Sequence, residues 1–177
     1  MNDIAKKKSI AQNIENRSEY ILAVAMMSIF TFLFLGAEYF FVNMISLSAS
    51  GDNAVNAQNY ALGTSAVGFV VYPLLNRAKG AFHKICRAAL AAIAVFCLFF
   101  ICVNQAYSAR LALGLALFFI LGLLGGGVYY MSVCVMNDEK CLARTVGVSY
   151  MLGILIQFAL NNLASSAMLY SRNTDIA

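Results

Sequence analysis

The chain has 177 residues, of which 62% are hydrophobic and 11% charged, and a mean hydropathy of +0.76. A soluble domain carries about 25% charged residues, so this composition describes an integral membrane protein with room for about five to seven crossings of some 20 residues each. A separate soluble catalytic or DNA-binding module is excluded, and the net charge of +4 reads as membrane topology before it reads as affinity for nucleic acid.

Residues 1–19 carry Lys6, Lys7, Lys8 and Arg17 and contain no continuous apolar core. They read as a cytosolic N-terminal segment rather than a cleavable signal peptide. The transmembrane bundle is expected over 20–170. Its first span, residues 20–47, would cover roughly 40 Å as a helix, enough to cross with tilt. The polar stretch 46–59, interrupted by Gly51, reads as a loop, and span two follows over 60–75. Pro73 and the basic turn from Asn76 to Lys84 close that span. Span three covers 85–103, a tight hairpin 104–109, and span four 111–136. After the charged turn at 137–140, span five covers 142–163, and 171–177 is a polar tail. The expected fold is therefore all-α, a polytopic bundle of five transmembrane helices.

With the N-terminus inside, Lys6, Lys7, Lys8, Arg17, Arg77, Lys79, Lys84, Arg87, Lys140 and Arg144 fall on the cytosolic side, leaving Arg110 and Arg172 outside. The positive-inside rule selects this orientation, and a bacterial cytoplasmic membrane is the expected location.

Few residues offer chemistry. The five cysteines contain no Cys-x-x-Cys pair and read as free thiols packed as small hydrophobes. His83 stands without a second histidine or a carboxylate at ligand spacing, so no metal or other cofactor is expected. No nucleophile, phosphate loop or paired-carboxylate set can be assembled, which argues against an enzyme.

Glu38 is the acidic side chain inside an apolar run, bounded by Phe34, Leu35, Phe41 and Val42. A charge at such depth costs about 2.5–3.5 kcal/mol on insertion scales. It is retained where it faces a bundle interior, an aqueous cavity or a proton, or where a neighbouring helix supplies a hydrogen bond. In span five Tyr150, Gly153, Gln157 and Asn161 share a helical face, and depth arithmetic places Gln157 in the layer of Glu38. Tyr150, Gln157 and Asn161 with Glu38 thus form a candidate substrate or proton layer, with interhelical hydrogen bonding as the structural alternative. Span four carries Gly122, Gly126 and Gly127 among five glycines, and span two carries Thr64-x-x-x-Gly68. Both spacings let helix backbones approach closely.

Arg110, Leu113-Gly114 and Gly122 to Gly127, followed by a charged turn and Arg144-Thr145-Val146-Gly147, form a pattern that resembles the N-terminal half of a major facilitator superfamily transporter. The resemblance covers roughly residues 20–165. The turn at Asn76, Arg77, Lys79 and Gly80 occupies the position of that family's Gly-x-x-x-Asp-Arg-x-Gly-Arg signature, with Asn76 in place of the Asp and Tyr72 in place of the first Gly. The resemblance implies a candidate gating turn there and a secondary transporter moving a small solute, with Glu38 handling a proton or cation. The family uses two six-helix bundles, so a second half-bundle or a homodimer is the expected partner, alongside the lipid bilayer. The alternative is a non-transporting membrane sensor or scaffold built on the same bundle, as in the membrane part of a transcriptional regulator. Direct nucleic-acid binding by this segment is not expected.

Overall fold

The computed structural model describes residues 2–76, 81–135 and 139–174, with side-chain surroundings for 18–76, 84–134 and 142–163. The described residues form five α-helices and no strand: α1 (Asn2–Ser46), α2 (Gly51–Leu75), α3 (Ala81–Val103), α4 (Tyr107–Val135) and α5 (Glu139–Thr174). Among the described residues four stretches are long and apolar enough to cross a membrane: Ser18–Ser46, Lys84–Val103, Tyr107–Cys134 and Leu142–Leu163.

The five expected helices are present, and α2 is the one that falls short of an apolar span by length and composition. In α2 the apolar run begins only at Tyr60, and the two preceding turns carry Asp52, Asn53, Asn56, Gln58 and Asn59. What remains is shorter than a bilayer crossing. The expected loop over 46–59 is corrected, because α2 starts at Gly51 and only residues 47–50 separate it from α1. Small residues explain the longer helix: Ala54, Ala57, Ala61, Ser65, Gly68 and Tyr72 recur every three or four positions and are all buried. That helical period prevails over the polarity of the opposite face. Ser50, in extended backbone at φ −65°, ψ 160°, begins the helix, and Asp52 in the first turn suits its positive end.

The helices form two compact units, Met1–Leu35 with Met131–Ala177, and Gly36–Tyr130. In the second unit α2 and α4 approach through glycine. A Cβ on Gly68 would stand 3.0 Å from the Leu123 nitrogen and 3.1 Å from the Gly122 Cα, and a Cβ on Gly122 would overlap the Ser65 carbonyl. Gly114 leaves room for the ring of Phe41, which is fully buried and packs on Phe118 at 5.7 Å between centroids. From α3, Ala94, Cys97 and Ile101 face inward at helical spacing.

In the first unit Ala23, Met27 and Thr31 of α1 and Thr145, Ser149 and Gly153 of α5 are buried. A Cβ on Gly153 would lie 2.7 Å from the Thr31 Cβ. The hydroxyls on these faces turn back on their own helices. Thr31 donates to the Met27 carbonyl at 2.9 Å, Ser28 to Val24 at 2.7 Å, and Ser149 to Thr145. Such back-bonding satisfies a hydroxyl within its own helix and leaves these small faces able to pack closely.

Gly122→Ala is expected to lower stability by about 1–3 kcal/mol, the usual cost of overfilling a packed contact. Gly63→Ala, where a Cβ meets nothing within 4 Å, should be neutral or slightly stabilising. Thermal unfolding of both variants in one detergent checks the assignment, and equal losses would contradict it.

Candidate functional site

In the Gly36–Tyr130 unit the carboxyl group of Glu38 has a defined partner. The Gln58 side-chain amide donates to its Oε1 with a nitrogen–oxygen distance of 2.6 Å, at the short end for such bonds. Both residues are half-buried, flanked by buried Ala37 and Phe41 on α1 and by buried Ala57 and Ala61 on α2. The hairpin geometry explains the meeting. Glu38 lies eight residues before the end of α1 and Gln58 seven residues after the start of α2. At a rise of about 1.5 Å per residue, both sit about 11–12 Å from the connecting loop. A primary amide at this point can donate to the carboxyl oxygen and, through its own carbonyl, accept from a protonated acid, so the pair suits either charge state.

Sequence reasoning missed Gln58 by assigning it to a loop. The signal that finds it is the Ala54, Ala57, Ala61 spacing running into Ser65 and Gly68, which extends the helical register back past the polar residues.

Arg110 forms the second polar centre of this unit. Only 6% exposed, it donates from Nε to the Asn104 carbonyl and from Nη1 to the Met44 carbonyl, both at 2.6 Å. Met44 lies in the last turn of α1 and Asn104 directly follows α3, where backbone carbonyls lack intrahelical partners. The guanidinium thus holds two helix ends against the start of α4, and its charge complements the negative ends of both helix dipoles. The sequence marks Arg110 as the residue opening span four. It does not reveal that Arg110 is buried on carbonyls.

Tyr72, near the end of α2, is buried over Gly126 and Gly127. A Cβ on Gly126 would lie 2.7 Å from the Tyr72 Cβ, and one on Gly127 would lie 3.5 Å from Arg87 Nη2. The Tyr72 ring packs on Tyr130 at 6.1 Å, and its hydroxyl reaches Asn76 Oδ1 at 3.4 Å. Of the candidate gating turn, Asn76 is therefore tied to α2. Arg77, Lys79 and Gly80 lie outside the described residues.

The remaining candidates belong to the other unit. Gln157 is half-buried and continues the four-residue rhythm of Thr145, Ser149 and Gly153, whereas Tyr150 and Asn161 are exposed. Thr145 and Ser149 are both nearly fully buried; the sequence names Thr145 only within the Arg144-to-Gly147 pattern and does not mark Ser149. Small hydroxyl residues at four-residue spacing are the signal that marks them. Cys86, Cys97, Cys102 and Cys134 are free thiols, while the side chains of His83 and Cys141 lie outside the described residues. Among the described residues no three His, Cys, Asp or Glu side chains gather as a metal site.

No family model, curated protein or solved structure matches the chain.

Gln58→Leu is expected to destabilise the protein by about 1–3 kcal/mol, because it leaves the Glu38 carboxyl without its donor. The double variant Glu38→Leu/Gln58→Leu should recover most of that loss, since removing both partners avoids an unsatisfied polar group. Unfolding measurements on the full cycle decide the matter, and simple additivity of the two single losses would show that the bond carries no coupling.

Proposed function

We propose that the chain is the membrane-embedded part of a secondary transport pathway for a small solute, with the Glu38–Gln58 pair exchanging a proton or a cation during the cycle. The observation that carries this reading is a carboxyl group at the depth of an apolar span, held by one amide at 2.6 Å and still half-exposed. A carboxyl kept only for cohesion would be expected to bury fully among partners. One that remains accessible can gain and lose a proton, and ionisable groups within membrane spans mark ion and substrate routes.

Two further features fit the reading. The part of α2 that precedes Tyr60 exposes Asp52, Asn53, Asn56 and Asn59, a face that belongs against water or protein and not against lipid. The Gly68–Gly122 contact between α2 and α4 is backbone against backbone, a surface along which packed helices can shift without dislodging interlocked side chains. The resemblance to half of a major facilitator bundle supports the same reading, and it makes a second half-bundle or a second copy of this chain the partner that completes the pathway. This reading takes α2 as a fifth crossing with its polar face turned to water or protein, which puts the N-terminus on the cytosolic side, Ser50 outside and Lys79 inside, within a bacterial cytoplasmic membrane.

The test is proton flux. Proteoliposomes holding the chain at a density that favours self-association should dissipate an imposed pH gradient faster than protein-free liposomes. Glu38→Gln should abolish the difference while leaving insertion and folding intact, because the amide is close in shape to the protonated acid. Flux that persists unchanged in Glu38→Gln would refute the role of Glu38. Absence of flux above protein-free liposomes from the self-associated chain would overturn the reading in which a second copy of this chain completes the pathway.

A further inference from the structure

On the side of α2 turned away from α4, Asn56, Asn59, Gly63, Ala66 and Val70 are all exposed and follow one another at spacings of three, four, three and four residues. That is the 3.5-residue repeat of a helix–helix seam. Gly63 and Val70 lie two residues beyond buried Ala61 and Gly68, a rotation of about 200°, so the seam runs opposite the face that packs on α4. A Cβ on Gly63 meets nothing within 4 Å, and the chain's own helices leave the seam open. Exposed Tyr60 and Val67 flank it on one side, Val55 and Leu62 on the other. The exposed face of α3 in the same unit is different, presenting Ile93, Phe96, Phe99 and Phe100, as a surface against lipid does.

The depth of the two asparagines decides what can cover them. The 29-residue span Ser18–Ser46 is about 43 Å long at the helical rise, against a hydrocarbon core of about 30 Å. Glu38, about 12 Å in from Ser46, therefore lies within the hydrocarbon. Asn59 directly follows Gln58, the partner of Glu38, and shares that level, with Asn56 one turn nearer the surface. Asn104 and Asn162 turn their amides onto carbonyls of their own helices at 3.0 Å. Asn56 and Asn59 do not, and neither has a hydrogen-bond partner among the described residues. At this depth a carboxamide is satisfied by another helix.

The carboxamide also selects its partner. Two copies inserted in the same orientation are related by a two-fold axis along the membrane normal, so a residue near the axis meets its own counterpart at the same depth. Asparagine carries both donor and acceptor and can pair with itself, which no carboxylate or ammonium does. Asp52, the next position outward in the repeat, stands at the start of α2, beyond the hydrocarbon, where water and salt screen like charges.

We propose that this seam is a self-association surface, on which α2 of a second copy of this chain packs in parallel, pairing Asn59 with Asn59 and closing over Gly63 and Ala66. The proposal rests on the reading of α2 as a crossing and not on proton exchange at Glu38.

Energy transfer between donor- and acceptor-labelled full chains in liposomes, followed as lipid dilutes the protein, tests it. Wild type should associate, Asn59→Leu should weaken association about threefold to tenfold, and Gly63→Leu, which fills the seam from its open side, should weaken it by a factor of about ten or more. Ala92→Leu adds bulk to the exposed face of α3 and should change nothing. In dilute detergent, Gly63→Leu should melt with the wild type, which keeps its effect on association apart from folding. Association unaltered by both α2 substitutions, or lost equally in Ala92→Leu, would overturn the proposal. Labelling of Ser50→Cys and Lys79→Cys from opposite sides tests the crossing separately. Both labelled from one side would overturn the crossing and this proposal with it, while opposite sides without energy transfer would overturn the proposal alone.

Discussion

A carboxyl group at membrane depth has to find a hydrogen-bond donor close by, and much of the Gly36–Tyr130 unit can be understood from that need. Hydrocarbon provides no water to satisfy Glu38, and the donor must come from a neighbouring helix at the same depth. Because α2 begins at Gly51 and not beyond the polar stretch, Gln58 is helical and stands at the level of Glu38, 2.6 Å from its Oε1. Had α2 begun at Tyr60, Gln58 would belong to a loop and the carboxyl would lack this partner. The alanine series that places α2 against its neighbours is thus also what delivers the amide.

The same unit meets its other polar demands in ways that leave little else free to react. Thr64 and Ser65 donate to Ala61 and Leu62 carbonyls within α2, each at 2.8 Å. Arg110 spends its donors on the carbonyls of Met44 and Asn104 at the ends of α1 and α3, a structural use of charge in which the backbone supplies the counter-dipole. Glu38 differs from both. Its partner is a side chain on another helix and its surroundings are half open.

Much of the architecture was legible because long apolar runs leave few alternatives. Span five was expected over 142–163 and lies at Leu142–Leu163; span three was expected over 85–103 and lies at Lys84–Val103. The apolar runs of spans one and four are likewise present. The expected loop over 46–59 fails for a physical cause: polarity alone does not break a helix, and Ala54, Ala57 and Ala61 hold the helical period that buries one face and leaves the other polar. Glycine spacing marked close approach on α4, but the surfaces that fill the space, the Ser65 backbone and the Tyr72 ring, depend on tertiary register that local sequence does not encode. Arg110 was visible as a helix-opening residue, while its burial depended on where two distant helices end. Glu38 was found from composition alone, since a lone carboxyl in an apolar run is costly wherever it lies. Its partner in the Gly36–Tyr130 unit was not found, because that required knowing where α2 starts.

The most direct test is a solid-state NMR dipolar measurement on the chain in lipid bilayers, between 13C in glutamate carboxyl groups and 15N in glutamine side-chain amides. Dephasing from a hydrogen-bonded amide–carboxyl pair is expected in the wild type, lost in Gln58→Leu and retained in Gln157→Leu. Absence of that dephasing, or its loss in Gln157→Leu with Gln58→Leu unaffected, would contradict the pairing of Glu38 with Gln58 on which the account rests.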